Sequence, residues 1–217
     1  MLICLSGVSR SGKDTLADVL VKDFKYVKMA FADGLRDLCS SVFDMPLNQF
    51  LDADKKEALF PHPIRLDEAH LGYMLEIIEN GYKIPVSKES KDKMLLLVGT
   101  EMTTPRKLLQ TIGSEVVRDC ISQDFWIQAL EKKIGNLADV VITDARLSNE
   151  RNWARSQGAL MCLVKRPSIT TIDTHRAEND LGEETEYQII FNNDDSLNRF
   201  RIDVNGFFNS YLRRPRY

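Results

Sequence analysis

Apolar residues open the chain as a short run and then yield to glycine. "MLICLSG" reads as a buried strand breaking into a turn, after which Leu16, Val19, Leu20 and Phe24 recur at helical spacing. Strand, glycine-rich loop and helix therefore follow in that order. "YVKMAFAD", residues 26–33, predicts a second strand and "GLRDLCSSVF" a second helix. Thr104 and Pro105 pair as N-cap and first-turn residue of a helix whose apolar face is Leu108, Leu109, Ile112 and Val116. Another helix runs through Phe125, Trp126, Ala129 and Leu130. "DVVIT", residues 139–143, is a fully apolar strand ended by Asp144, and a helix over about 147–157 closes at Gly158. "ALMCLVKRP" and "YQIIFNN" give two more strands, and Leu197, Phe200, Val204 and Phe207 mark a last helix. Strands separated by helices predict an α/β fold, a parallel β-sheet flanked by helices on both faces.

Residues 45–100 break this alternation. They carry prolines at 46, 61, 63 and 85, many charges and one amphipathic helix through Leu66, Ala69, Tyr73, Met74, Ile77 and Ile78, which stops at Asn80-Gly81. The segment reads as an insertion into one domain of 217 residues. No internal repeat or low-complexity stretch interrupts the chain.

Composition narrows the function classes. With 43% hydrophobic and 28% charged residues and a formal net charge of -3, the chain has the make-up of a soluble globular protein without the basic excess of a nucleic-acid binder. The basic "YLRRPRY" reads as a solvated tail. The apolar runs are too short to span a bilayer, and "MLICLSG" lacks a basic leader, so neither a membrane helix nor a signal peptide is predicted. Cys4, Cys39, Cys120 and Cys162 form no CxxC pair, and three of them sit in apolar runs. Buried thiols in a reducing cytoplasm fit this better than disulfides or zinc.

The chemistry starts at "GVSRSGKDT", Gly7 to Thr15. Gly7, Ser9, Arg10, Ser11, Gly12 and Lys13 fall in a G-x-x-x-x-G-K frame, after a strand and opening a helix. Glycines let the backbone curl so that its N–H groups face phosphate oxygens, and the helix N-terminus adds partial positive charge. Lys13 would bridge the transferable phosphate. Common loops of this kind next place a Mg²⁺-binding hydroxyl, whereas this one has Asp14 and only then Thr15. A carboxylate beside a triphosphate calls for an intervening cation or water; otherwise Asp14 serves the helix terminus, where negative charge is also favourable. Asp144, ending an apolar strand, has the position of a second Mg²⁺-holding carboxylate. Arg106 and Gln110, four apart, share a helix face that Gly113 and Ser114 extend. An arginine forks onto phosphate oxygens and an amide can read a base edge. Arg146, Glu150, Arg151, Arg155, Arg166 and Arg176 follow, some able to neutralise a phosphoryl group in transfer. Trp126 could stack on a base or fill the core, and His175 lies in a polar loop without a second metal ligand at useful spacing.

"SGVSRSGKDTLADVL", "TPRKLLQTIGSEVVRDCISQDFWIQAL", "VVITDARLSNERNWARSQGALMCLVKRP" and "THRAE" together resemble the deoxynucleoside monophosphate kinases of tailed bacteriophages, within the P-loop nucleotide-kinase group. The likeness runs to about residue 200, with 45–100 poorly matched. It implies a P-loop kinase fold that transfers the γ-phosphoryl of ATP to a deoxynucleoside monophosphate with Mg²⁺. The family itself writes "GKDT", so Lys13, Asp14 and Thr15 would handle donor phosphates and metal. Arg106 and Gln110 match the residues that hold acceptor phosphate and base, and Lys107, Gly113 and Ser114 lie in the same motif. Trp126 matches the family's "FW" tryptophan. Asp144, Arg146 and Glu150 match its D-x-R-x-x-x-E run, here "DARLSNE" where many members have "DVRFPNE", and "HRAE" stands where "HPSE" is frequent. Arg36 and the insertion would meet the acceptor, and residues 168–186 would form a lid that excludes water. The acceptor phosphate is already ionised at neutral pH, so the chemistry asks for alignment and charge neutralisation rather than a general base.

The resemblance places the enzyme in the cytoplasm with small-molecule substrates, ATP and dNMP, and without membrane or direct nucleic-acid contacts. It admits a homodimer, as related kinases are often small oligomers, although no interface signature stands out. Rival readings are a phosphomevalonate or dephospho-coenzyme A kinase on the same scaffold, a catalytically silent nucleotide-binding module, and a DNA-acting P-loop ATPase.

Overall fold

A computed structural model describes residues 1–168 and 181–212. Its main sheet has five parallel strands in the order β2-β5-β1-β6-β7. These are β1 (Leu2–Ser6), β2 (Val27–Met29), β5 (Val140–Ile142), β6 (Leu160–Lys165) and β7 (Ile189–Asn192). The central strand β1 has Ile3, Cys4 and Leu5 fully buried, the continuous apolar run expected of a strand covered on both faces. Edge strand β7 instead alternates, with Phe191 buried and Ile190 exposed. The fold is α/β, a parallel sheet flanked by helices, and is consistent with a P-loop kinase.

The chain divides into two compact units, one of residues 1–30 with the chain from Ile134 onward, the other Phe31–Lys133. In the first, α1 (Lys13–Phe24) and α10 (Leu197–Leu212) pack on each other, and α9 (Ser148–Ser156) packs on β6. Their core gathers Leu5, Leu16, Leu20, Val164, Phe200, Val204 and Phe208. The last helix was expected to bury Leu197 and Phe207. It turns instead on Phe200, Val204 and Phe208, an i, i+4, i+8 row, and leaves Leu197 half exposed.

The second unit holds α2 (Ala32–Val42), α3 (Asn48–Leu51), α4 (Ala53–Glu57), α5 (Glu68–Glu76), α6 (Lys88–Leu95), α7 (Pro105–Gln110) and α8 (Phe125–Ile134), the last ending at the unit's edge. A two-stranded antiparallel ribbon joins β3 (Ile64–Arg65), inside the segment 45–100, to β4 (Glu101–Met102), just past its end. Helix α5 starts later than its apolar pattern suggests. The Asp67 carboxylate accepts the His70 N–H at 2.8 Å and sets the first turn, so Leu71 and Met74 face inward while Ala69 and Tyr73 are exposed.

All four cysteines are free thiols. Burial pushes the thiols of Cys4, Cys39 and Cys162 well up, which keeps them protonated and unreactive. Among the described residues, no helix is long and apolar enough to cross a membrane.

Candidate functional site

The turn after β1 takes its shape from two glycines. Gly7 has φ 143° and Gly12 φ 110°, backbone that side chains rarely adopt, and Arg10 between them is also left-handed at φ 62°. A Cβ on Gly7 would run into the Val164 carbonyl of β6, so the loop hugs the sheet where it leaves it. The loop closes with Ser11 N–H on Val8 O at 3.2 Å, and α1 begins with Leu16 N–H on Gly12 O at 3.0 Å.

Lys13 is only 6% exposed, and its ammonium donates to the carbonyls of Gly7 at 2.8 Å and Val8 at 2.6 Å. It thus lies folded across the loop whose N–H groups a phosphate would meet. Ser11 Oγ is fully enclosed there and has no hydrogen-bond partner among the described residues. A cleft of about 210 Å³ opens above, lined by Arg10, Lys13, Asp14, Thr15, Arg166 and Asn193 among others.

Asp14 stands in the first turn of α1, while the N-cap position belongs to Gly12 and no side chain caps it. The Asp14 carboxylate is 79% exposed and pairs with Lys28 of β2 at 2.9 Å; Lys28 also reaches Asp18 at 3.1 Å. Burial pulls the Lys28 ammonium down, but bonding to Asp14 and then Asp18 outweighs it and holds the group above its ordinary range. Asp14 thus places its negative charge at the start of α1, where it is favourable, and also forms an ion pair whose partner spacing along the chain did not reveal.

Asp144 follows β5 at the carboxyl end of the sheet. Its neighbours are fixed on both sides: Thr143 N–H donates to Met29 O at 3.0 Å, Ala145 N–H to Leu5 O at 3.2 Å, and the Ser6 hydroxyl to Ala145 O. Ser6 leads directly into the phosphate-type loop, so Asp144 is anchored beside the loop's base.

Glu150 was expected among the catalytic residues. It is 3% exposed, and one carboxylate oxygen accepts the N–H groups of Arg146 and Leu147, each at 3.0 Å. It sits third in α9 and closes the turn that presents Arg146, a helix-start role. Arg151, with a 3% exposed side chain, donates to the Arg146 carbonyl and to Glu186 at 3.0 Å, and Arg155 joins Glu186 at 2.5 Å. Arg155, then Arg151, hold the Glu186 carboxyl at about 2. Residues 169–180, with His175, Arg176 and most of the lid segment, lie outside the described residues.

In the second unit the Thr104 hydroxyl accepts the Lys107 N–H at 3.0 Å and Pro105 opens α7, as its sequence predicts. The helix continues over Thr111–Arg118 in wider π-type turns, with Asp119 N–H on Ser114 O at 2.9 Å. Arg106 is ion-paired with Glu57 of α4, Lys107 with Glu115 at 3.1 Å, and Arg36 with Asp33 at 2.8 Å. Gln110 and Ser114 are half-buried on the same helix. Gly113 is packed under Leu35, whose Cδ2 lies 2.5 Å from where a Cβ would stand. Trp126 is 2% exposed and its indole N–H donates to Gly113 O at 3.1 Å. Both residues, expected at the acceptor, are buried in the core of this unit, where the indole braces the helix at Gly113.

Comparison with known proteins agrees with the motif pattern. A family model described as deoxynucleotide monophosphate kinase matches residues 65–204. A putative deoxynucleotide monophosphate kinase of Acanthamoeba polyphaga mimivirus is 25% identical, the alignment covering 94% of this chain and 94% of that protein. Deoxynucleotide monophosphate kinases of Escherichia phage RB69 and Enterobacteria phage T4 are 27% and 26% identical, each over 90% of this chain and 94% and 93% of their own.

Proposed function

The chain belongs to the deoxynucleotide monophosphate kinase family, and we propose that it transfers the γ-phosphoryl group of ATP to a deoxynucleoside monophosphate, giving the diphosphate. It is a phosphotransferase with ATP as donor and a small-molecule acceptor, a step toward DNA precursors in the cytoplasm of the cell that makes it. The observation that carries the reading is the loop from Gly7 to Lys13. A left-handed glycine stands at each end and a buried lysine crosses it, between the central strand and a helix N-terminus.

In this reading the N–H groups of residues 7–13 cradle the donor phosphates, and Lys13 exchanges its two carbonyl partners for phosphate oxygens. Thr15 adds a hydroxyl, and Arg10 supplies positive charge at the cleft. Arg106 holds the acceptor phosphate after giving up Glu57, and Gln110 contacts the base. Arg146, on a turn braced by Glu150 and Arg151, stabilises charge on the group in transfer. Asp14 and Asp144 supply the oxygen ligands that Mg²⁺ takes. No group of three or more His, Cys, Asp or Glu gathers among the described residues. Phosphate and water would supply the remaining ligands of the ion, which when bound would offset phosphate charge.

The test is ADP release from Mg·ATP with each deoxynucleoside and ribonucleoside monophosphate, mevalonate 5-phosphate and dephospho-coenzyme A serving as controls. Strong stimulation by deoxynucleoside monophosphates is expected. Retained ATP binding with no stimulation by any of them would reduce the chain to a nucleotide-binding module.

A further inference from the structure

Asn193, just past β7, belongs to none of the motifs and is 7% exposed. Its backbone N–H donates to the Lys165 carbonyl at 2.8 Å. Its side-chain amide donates to the carbonyl of Ser11 at 2.9 Å, across 182 positions of sequence. The same amide nitrogen would lie 2.5 Å from a Cβ at residue 12, so glycine is the residue that leaves room for it. Asn193 also lines the cleft with Lys13 and Thr15.

A loop can aim its N–H groups at an anion only if the carbonyls of the same peptides point away and find partners elsewhere. Because the peptide unit is planar and trans, the Ser11 carbonyl and the Gly12 N–H point in opposite directions. Gly12 alone would let that peptide rotate cheaply, since glycine occupies both signs of φ. We propose that Asn193 is a positioning residue for the donor-phosphate loop: by holding the Ser11 carbonyl outward, it keeps the Gly12 N–H turned toward the phosphate. This rests on reading residues 7–15 as that loop.

The experiment measures ADP affinity by calorimetry, KM for ATP and for the acceptor, and thermal stability in Asn193→Ala, Asn193→Asp and Lys13→Ala. Asn193→Ala is expected to weaken ADP and raise KM for ATP about tenfold and to lower the nucleotide-free Tm by a few degrees, because the buried Ser11 carbonyl loses that donor, with the acceptor KM nearly unchanged. Asn193→Asp should be worse than alanine, because a carboxylate facing the Ser11 carbonyl repels it and adds negative charge beside the phosphates. ADP affinity within twofold of wild type in Asn193→Ala would overturn the proposal, as would a parallel shift of Tm and both KM values. If Asn193→Ala does not fold, Asn193→Ser is read by the same criteria; failure of both to fold makes the residue structural and also overturns it. Lys13→Ala separates the two levels. Undiminished ADP binding there removes the loop reading itself, whereas weakened binding in Lys13→Ala beside an unaffected Asn193→Ala removes only the role of Asn193.

Discussion

The indole N–H of Trp126 donates to the carbonyl of Gly113 at 3.1 Å, and both residues are buried in the core of the second unit. Replacing the indole by phenyl leaves that carbonyl without its donor, a loss of about 1–3 kcal/mol. Trp126→Phe is therefore expected to lower the urea midpoint clearly while leaving the acceptor KM close to wild type. The reverse pattern, unchanged stability with a raised acceptor KM, would return the tryptophan to the base site.

Lys13 and Arg106 are expected to be indispensable. Lys13→Ala and Arg106→Ala should each reduce transfer by roughly a hundredfold or more, as the loss of charge stabilisation at a transferring group does. The two should differ in kind, Lys13→Ala acting on ATP and Arg106→Ala on the acceptor, each read from KM and kcat. Wild-type turnover in either variant removes that residue from the mechanism.

The Asp14–Lys28 pair separates two uses of Asp14. An exposed ion pair contributes only about 0–1 kcal/mol, so Lys28→Met should leave stability nearly intact. Asp14→Asn is expected to cost much more activity than Lys28→Met, and more than Asp14→Ser, which restores the hydroxyl common at this position. Equal small losses in all three would leave Asp14 with a helix-terminus role only.

Glu186 gives the protein an acid-sensitive joint. Its carboxyl is held at about 2 in the folded protein against an ordinary 4.5, so the stabilisation is complete above about pH 4.5 and is lost as pH falls toward 2. Solvent reaches part of the group, and the effect should be about 1–2 kcal/mol. Stability measured from pH 5 to pH 2 should fall less steeply in Glu186→Gln than in wild type. Identical slopes would mean that the arginine pair does not act on folding.

Elements defined by neighbours in sequence were legible. The strand, glycine loop and helix at the start, the Thr104 cap, the apolar strand before Asp144 and the stop at Gly158 all depend on local spacing and turn chemistry. What escaped depends on contacts across the chain. Lys28 meets Asp14 because α1 packs on β2, and Asn193 meets Ser11 because β7 ends beside β6; no periodicity encodes either. Glu150 was readable after all. It carries two signals, the third position of a helix and the D-x-R-x-x-x-E spacing, and its contacts to the Arg146 and Leu147 N–H groups are those of the first. Trp126 and Gly113 lie in the acceptor motif by sequence, yet each faces inward from its own helix, which only packing reveals.

The strand order has a consequence for synthesis. β1 emerges before the strands it pairs with, β5 and β6, whose residues begin at 140 and 160. Residues 31–133 contribute a hydrophobic cluster of their own from one uninterrupted stretch. Domains fold from the N-terminus as the chain is made, and distant pairings are slow to close. The middle of the chain can thus settle on the ribosome while its N-terminal strand still waits for partners. The phosphate-type loop, pinned by residue 193, is among the last parts to take shape, so a chain truncated before β7 should keep much of its helical content yet bind no nucleotide.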